Sequence, residues 1–169
     1  MQLAQSEIVS STWTVVTKTH DYALASWNEI AALVWRHETT LEGIQNSNTL
    51  VAEVARRHPK GIALLTVISA VAPMPSSEAR KTLADLMSSN RCIRCSAVIM
   101  EGTGFRAAAV RSVVTGLTLL SRHEFPHRIC DVEGAVKVYT DVMPRVTGRA
   151  WDPDTVRAAI NELRRQMLP

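Results

Sequence analysis

The stretch Gly61-Ile62-Ala63-Leu64-Leu65-Thr66-Val67-Ile68-Ser69-Ala70-Val71-Ala72, followed by Pro73-Met74-Pro75 and Ser76-Ser77, decides the fold. Its apolar run is too short to cross a bilayer and too continuous for a strand wetted on one face. It reads as a central strand, covered by helices on both sides, over residues 61–72. Pro73 and Pro75 end it, and Ser76 or Ser77 then caps a helix running from Glu78 to Met87. Open α/β sheets gather functional groups outside the carboxyl ends of their strands, so this junction marks the edge to inspect.

Working outward, the pattern towards the N-terminus is strand-like. Trp13, Val15 and Thr17 alternate with Thr14, Val16 and Lys18; Tyr22 to Trp27 is a second extended piece, and Ile30 to Trp35 a third after a turn at Asn28-Glu29. These form an antiparallel hairpin region. The period then lengthens. Thr39 and Glu42 have capping-box spacing, and Leu41, Ile44, Val51, Val54 and Ala55 share one helical stripe up to Arg56-Arg57-His58 and Pro59. The polar Gln45-Asn46-Ser47-Asn48 is expected to loosen the middle of that helix.

Towards the C-terminus, Ala79, Leu83, Leu86 and Met87 give the Ser76-capped helix an inner face, and Ile93 to Met100 reads as another strand. A helix over Phe105 to Ser121, a short edge strand over His127 to Cys130 and a helix capped by Asp131 follow. Asp152, Pro153 and Trp151 specify the start of a last helix, whose stripe is Val156, Ala159, Ile160, Leu163 and Met167. The order β-β-α-β-α-β-α-β-α plus a terminal helix predicts an α/β fold: a mixed, mostly parallel sheet of four to five strands covered by helices. Residues 1–12 are expected to be a flexible lead-in and 13–146 the α/β domain. Residues 147–169 are an added amphipathic helix packed on the domain or on a partner, and a homodimer through that helix is one expectation.

Composition narrows the function classes. The chain has 169 residues, 46% of them apolar and 21% charged, as in an ordinary globular domain. No apolar stretch reaches the roughly 20 residues of a membrane span, the N-terminus lacks the pattern of a secretory signal, and three cysteines make no disulfide framework. A cytoplasmic location is the expectation. The net charge of +3 is mild and its arginines are dispersed, which argues against nucleic acid as a partner.

Three motifs carry chemistry. A phosphate on Ser76 or Ser77 would meet free backbone amides and the positive end of a helix dipole, with Arg80 one turn on. Gly102-x-Gly104-x-x-Ala107 follows a strand and opens a helix, as in a dinucleotide fingerprint, but three strands precede it where the fingerprint needs the first. The alternatives are a turn that needs glycines, or a helix start at which Phe105, Arg106 and Arg111 receive an anion or a partner carboxylate. Cys92-x-x-Cys95 stands at a strand start, without the further ligands zinc needs or the helix N-terminus a redox pair uses. His20, His37, His58, His123 and His127 have no nucleophile or carboxylate partner in sequence, so neither metal, cofactor nor catalytic residue is expected.

Two opening strands, a buried strand ending near Ala72, the helix start at Ser76-Ser77, and the strand-helix-strand-helix close together resemble a STAS domain of the SpoIIAA-like kind, the family of bacterial anti-sigma-factor antagonists. The resemblance covers about three quarters of the chain, from Trp13 to Val142. It implies a cytoplasmic bacterial signalling module, not an enzyme, that binds another protein, and a regulatory kinase as a possible partner. In the antagonists the helix opens on aspartate-serine-serine-glycine; here the positions read Pro75-Ser76-Ser77-Glu78. A variant branch of these domains implies the alternative: a carrier or sensor of a small apolar ligand or lipid, held between sheet and helices. The small apolar residues of Val67 to Val71 and Ala107 to Val114 suit such a pocket.

Overall fold

A computed structural model describes residues 12–120 and 124–169, with the side chains of residues 105, 106 and 117–120 left out of the description. The expected lead-in therefore lies, except for Thr12, outside the described residues. Strands β1 (Thr14–Lys18), β2 (Tyr22–Trp27) and β3 (Ile30–Trp35) come first, followed by helix α1 (Leu41–Arg57) and strand β4 (Ile62–Ile68). Helix α2 (Ser77–Ser89), strand β5 (Ile93–Met100), helix α3 (Phe105–Leu120) and strand β6 (His127–Cys130) continue the alternation. Helices α4 (Val132–Thr147) and α5 (Pro153–Met167) close the chain.

All six strands form one sheet in chain order, β1 to β6. The first two pairings are antiparallel and the last three parallel, so the sheet is mixed and mostly parallel. It has one strand more than the four to five expected, because all three opening pieces join it. A two-residue turn at Asn28-Glu29 links β2 to β3, with Asn28 at φ 50, a left-handed conformation that asparagine tolerates.

Strand periodicity divides the core into two layers. Ala23, Ala25, Ala32, Val34, Ala63, Leu65, Val67, Cys95, Ala97 and Ile99 face α4 and α5. Leu24, Ala31, Leu33, Ile62, Leu64, Ile68 and Val98 belong to the opposite layer with α1 and α2. The central strands are thus apolar on both sides, as the continuous run implied.

Local chemistry shifts several boundaries. The run 61–72 is a strand only to Ile68; Ser69 then makes a turn, its carbonyl accepting from the Ala72 amide at 3.1 Å and its hydroxyl from the Val71 amide at 3.3 Å. Val71 is left half exposed. Thr40, not Thr39, caps α1 by accepting from the Gly43 amide at 3.0 Å, and Leu41 faces outward. The polar middle of α1 does not loosen it. Asn46 donates to the Tyr22 hydroxyl at 2.7 Å and buried Ser47 to the Gly43 carbonyl at 2.6 Å, so these groups find partners within the fold.

The C-terminal stripe is covered by the chain's own sheet. Val156, Ala159, Ile160, Leu163 and Met167 are all buried in the layer with Trp13 and Trp27. The Trp13 indole donates to the Ala159 carbonyl at 2.7 Å, and Arg164 forks onto both Glu101 oxygens at 2.5 and 2.9 Å. Residues 147–169 are therefore part of the same core rather than an appendage. None of the described helices is long and apolar enough to cross a membrane.

Candidate functional site

The elements α2 and α3 both start beyond the carboxyl ends of β4 and β5, so the topology does bring the two predicted helix starts to one edge. Ser76 is the N-cap of α2; its hydroxyl accepts from the Ala79 amide at 3.1 Å. Ser77 is exposed and its hydroxyl accepts from the Arg80 guanidinium at 3.0 Å. That contact sets one cation beside the serine without a phosphate being present. Gly102 and Gly104 have φ of 86 and 95, and a Cβ on Gly102 would come within 2.9 Å of Ala70 Cβ. These glycines serve the turn between β5 and α3. Arg111 is exposed on α3, about 9 Å along the helix from its start. The side chains of Phe105 and Arg106, the other two proposed anchors, lie outside the described residues.

What the fold builds at this edge is a cavity between sheet and helices; of the two apolar stretches expected to suit such a pocket, Ile68, Val110 and Val114 line it, whereas Val67 faces the opposite layer and Val71 is exposed. The cavity has a volume of about 90 Å³ and lies between the α1–α3 face of the sheet and helices α2 and α3. Ile68 and Val98 on the sheet and Leu83, Met87, Val110 and Val114 on the helices line it. Thr39, Pro73 and Pro75, from the loops after β3 and β4, form the rim. The expected inner residues Leu83 and Met87 are only half-buried because they border this space. Ala79 and Leu86, on the same helix, are fully packed.

Apart from Thr39 at the rim, three polar side chains interrupt the apolar described lining: Thr66, Ser96 and His127. Strand register explains their meeting. Ser96 pairs with Leu64 on one side and with His127 on the other, and Thr66 pairs with Val98, two residues along the same face. Ser96 is fully buried and its hydroxyl has no hydrogen-bond partner. Lysine, arginine, aspartate and glutamate are absent from the described lining. A visible signal existed: Thr66 is the one polar residue of β4, and in β5 Ser96 is the one polar residue besides exposed Arg94 at the strand start.

Of the pair singled out by spacing, Cys95 is in the core and Cys92 lies in the turn before β5. Cys95 is fully buried, and desolvation pushes its thiol up to about 12; Cys130 is pushed up to about 11 by desolvation and by the Asp131 charge, against the opposing Arg128. Cys92 is half-buried and also raised, chiefly by burial. All three are free thiols. Among the described residues no cluster of histidine, cysteine and carboxylate groups is suited to a metal ion. Comparison with models of known families, with curated proteins and with solved structures yields no match.

Proposed function

We propose that this protein is a non-enzymatic binding module that holds a small apolar ligand between its sheet and helices α2 and α3. The observation that carries this reading is the cavity of about 90 Å³, walled by Ile68, Leu83, Val98, Val110 and Val114 and rimmed by the loop residues Thr39, Pro73 and Pro75. Interiors ordinarily pack with few voids larger than a water molecule, so an apolar space beside the carboxyl edge of an open α/β sheet is the place where a ligand is first sought. The cavity also agrees with the ligand-binding branch implied by the STAS resemblance, as does the order of elements around Ser76-Ser77. A cytoplasmic setting suits the free thiols.

The test is an amide chemical-shift titration of the full chain with toluene. Saturable shifts confined to residues 66, 68, 96, 98, 110 and 114 are expected, and Ala84→Leu, which projects into the same space, should abolish them. Shifts scattered over the surface, or unaffected by the filling substitution, would sink the reading.

A second reading, docking of another protein chain onto the same edge, is favoured by Val71 and Met74, which are 50% and 45% exposed beside the α2 start. Ser77, Arg80 and Arg111 would supply its polar anchors, and a regulatory kinase is among the partners it admits. Joint replacement Met74→Glu and Arg111→Glu should strip copurifying chains from the protein; retention of all of them refutes this surface. A homodimer through α5 would have to use its charged outer face.

A further inference from the structure

We propose that the ligand carries one neutral hydrogen-bonding group, a hydroxyl or a carbonyl, seated on Ser96 at the sheet floor of the cavity, with its apolar body between the helices. The proposal rests on the cavity reading above and adds the chemical class of the occupant.

Four observations carry it. The Ser96 hydroxyl is fully buried and has no partner, although such groups in folded proteins are nearly always satisfied. It borders the cavity, so a group placed there meets it. Thr66 and His127 border the same space, with His127 directly across the strand pair from Ser96, so the polar residues share one floor. The rest of the described lining is almost wholly apolar, which suits a ligand with a single polar end.

The described lining disfavours a charged group. It offers no lysine or arginine, and its one titratable side chain is His127, so a carboxylate taken from water into such a space would lack a permanent counter-ion. A hydroxyl or carbonyl needs only a neutral partner, which Ser96 provides as donor or acceptor. Size is bounded as well. At roughly 10–15 Å³ of such volume for one water, 90 Å³ admits a body on the order of six to nine water-sized groups.

Phenol, toluene and benzoate match this size and differ in the group they present. Each is titrated into the full chain at neutral pH, with the amides of residues 66, 96, 98 and 110 as the readout. Phenol is expected to bind about 10-fold more tightly than toluene, the ratio one satisfied buried hydrogen bond supplies. Benzoate is expected to leave those amides unmoved. In Ser96→Ala the phenol advantage should vanish while toluene binding persists; Thr66→Val serves as a second variant that keeps the Ser96 group.

Equal binding of phenol and toluene in the unmodified chain would overturn the proposal and leave the cavity reading standing, with a water as the Ser96 partner. So would an advantage that survives Ser96→Ala, or benzoate binding more tightly than phenol. If neither phenol nor toluene moves the cavity amides, the cavity reading itself fails and takes the proposal with it.

Discussion

Single side chains in this protein have consequences that depend on which groups they leave unpaired. The Tyr139 hydroxyl, fully buried on α4, donates to the Leu64 carbonyl at 2.8 Å across the helix-to-sheet boundary. Tyr139→Phe should cost about 1–2 kcal/mol in urea denaturation, since a buried carbonyl loses a partner. Ser96→Ala should do the opposite. Its hydroxyl has no partner to lose, so the ligand-free variant is expected to melt no lower than the parent. Ser76→Ala removes the α2 cap and should cost about 1 kcal/mol. The thiols predict a pH dependence with a definite sign. Cys95 and Cys130 are raised to about 12 and about 11 from 9.0, so the unfolded chain releases their protons first. Their contribution is complete below about pH 9 and is lost as pH rises towards 11–12. Urea midpoints at pH 8 and pH 10.5 should show the fall, and Cys95→Ala should shrink it; an unchanged slope would refute the assignment.

At the level of elements, α5 shows how one helix secures both ends of the sheet. Its stripe lies over Trp13 and Trp27 of the opening strands, and Arg164 reaches Glu101 beyond β5. Arg36, after β3, donates to the Met167 carbonyl at 2.7 Å, and Lys18 on β1 to the Gln166 carbonyl at 2.8 Å. At its start the Asp152 carboxylate accepts from the Thr155 amide at 2.8 Å and Trp151 is buried under the cap. Arg149 lies 5.0 Å over the Trp151 ring and pairs with buried Glu29 of the β2–β3 turn. Leu163→Ala should therefore cost about 2–5 kcal/mol, as for other fully buried leucines, whereas Arg157→Ala on the outer face should cost far less. Thermal unfolding of the two variants makes the comparison, and similar losses would show that α5 does not dock through this stripe.

For the whole molecule, both core layers share one sheet, so neither has a surface on which to fold alone. Trp13, Trp27 and Trp151 belong to the layer with α4 and α5, and Trp35 to the layer with α1 and α2. Equilibrium unfolding is predicted to be a single transition in which tryptophan fluorescence and far-ultraviolet circular dichroism coincide. In Trp35→Phe the fluorescence comes only from the first layer, and its midpoint should still match the circular dichroism of the same variant. Two separated midpoints would mean that residues 147–169 form an independent unit after all.

How far the chain could be read without its fold depended on the range of the forces involved. Alternation, helical stripes and end signals are local, so β5, β6, α4 and α5 fall where periodicity and the caps at Asp131 and Asp152 put them. Apolar run length is also local, and it placed a central strand between covering helices, with a mixed, mostly parallel sheet as the consequence. Three outcomes were not local. The run ended at Ile68 because Ser69 satisfied two turn amides instead of continuing the ladder. The α5 stripe closed on its own sheet because the meander from β1 to β3 supplies a face that no stretch of sequence displays. The candidate site moved from the serines and arginines at the helix starts to the space behind them. That space exists because Thr66, Ser96 and His127 come into register on neighbouring strands while α2 and α3 leave room above them. Sequence determined the elements and the edge; cross-strand register and helix packing, which join residues tens of positions apart, decided what lies inside it.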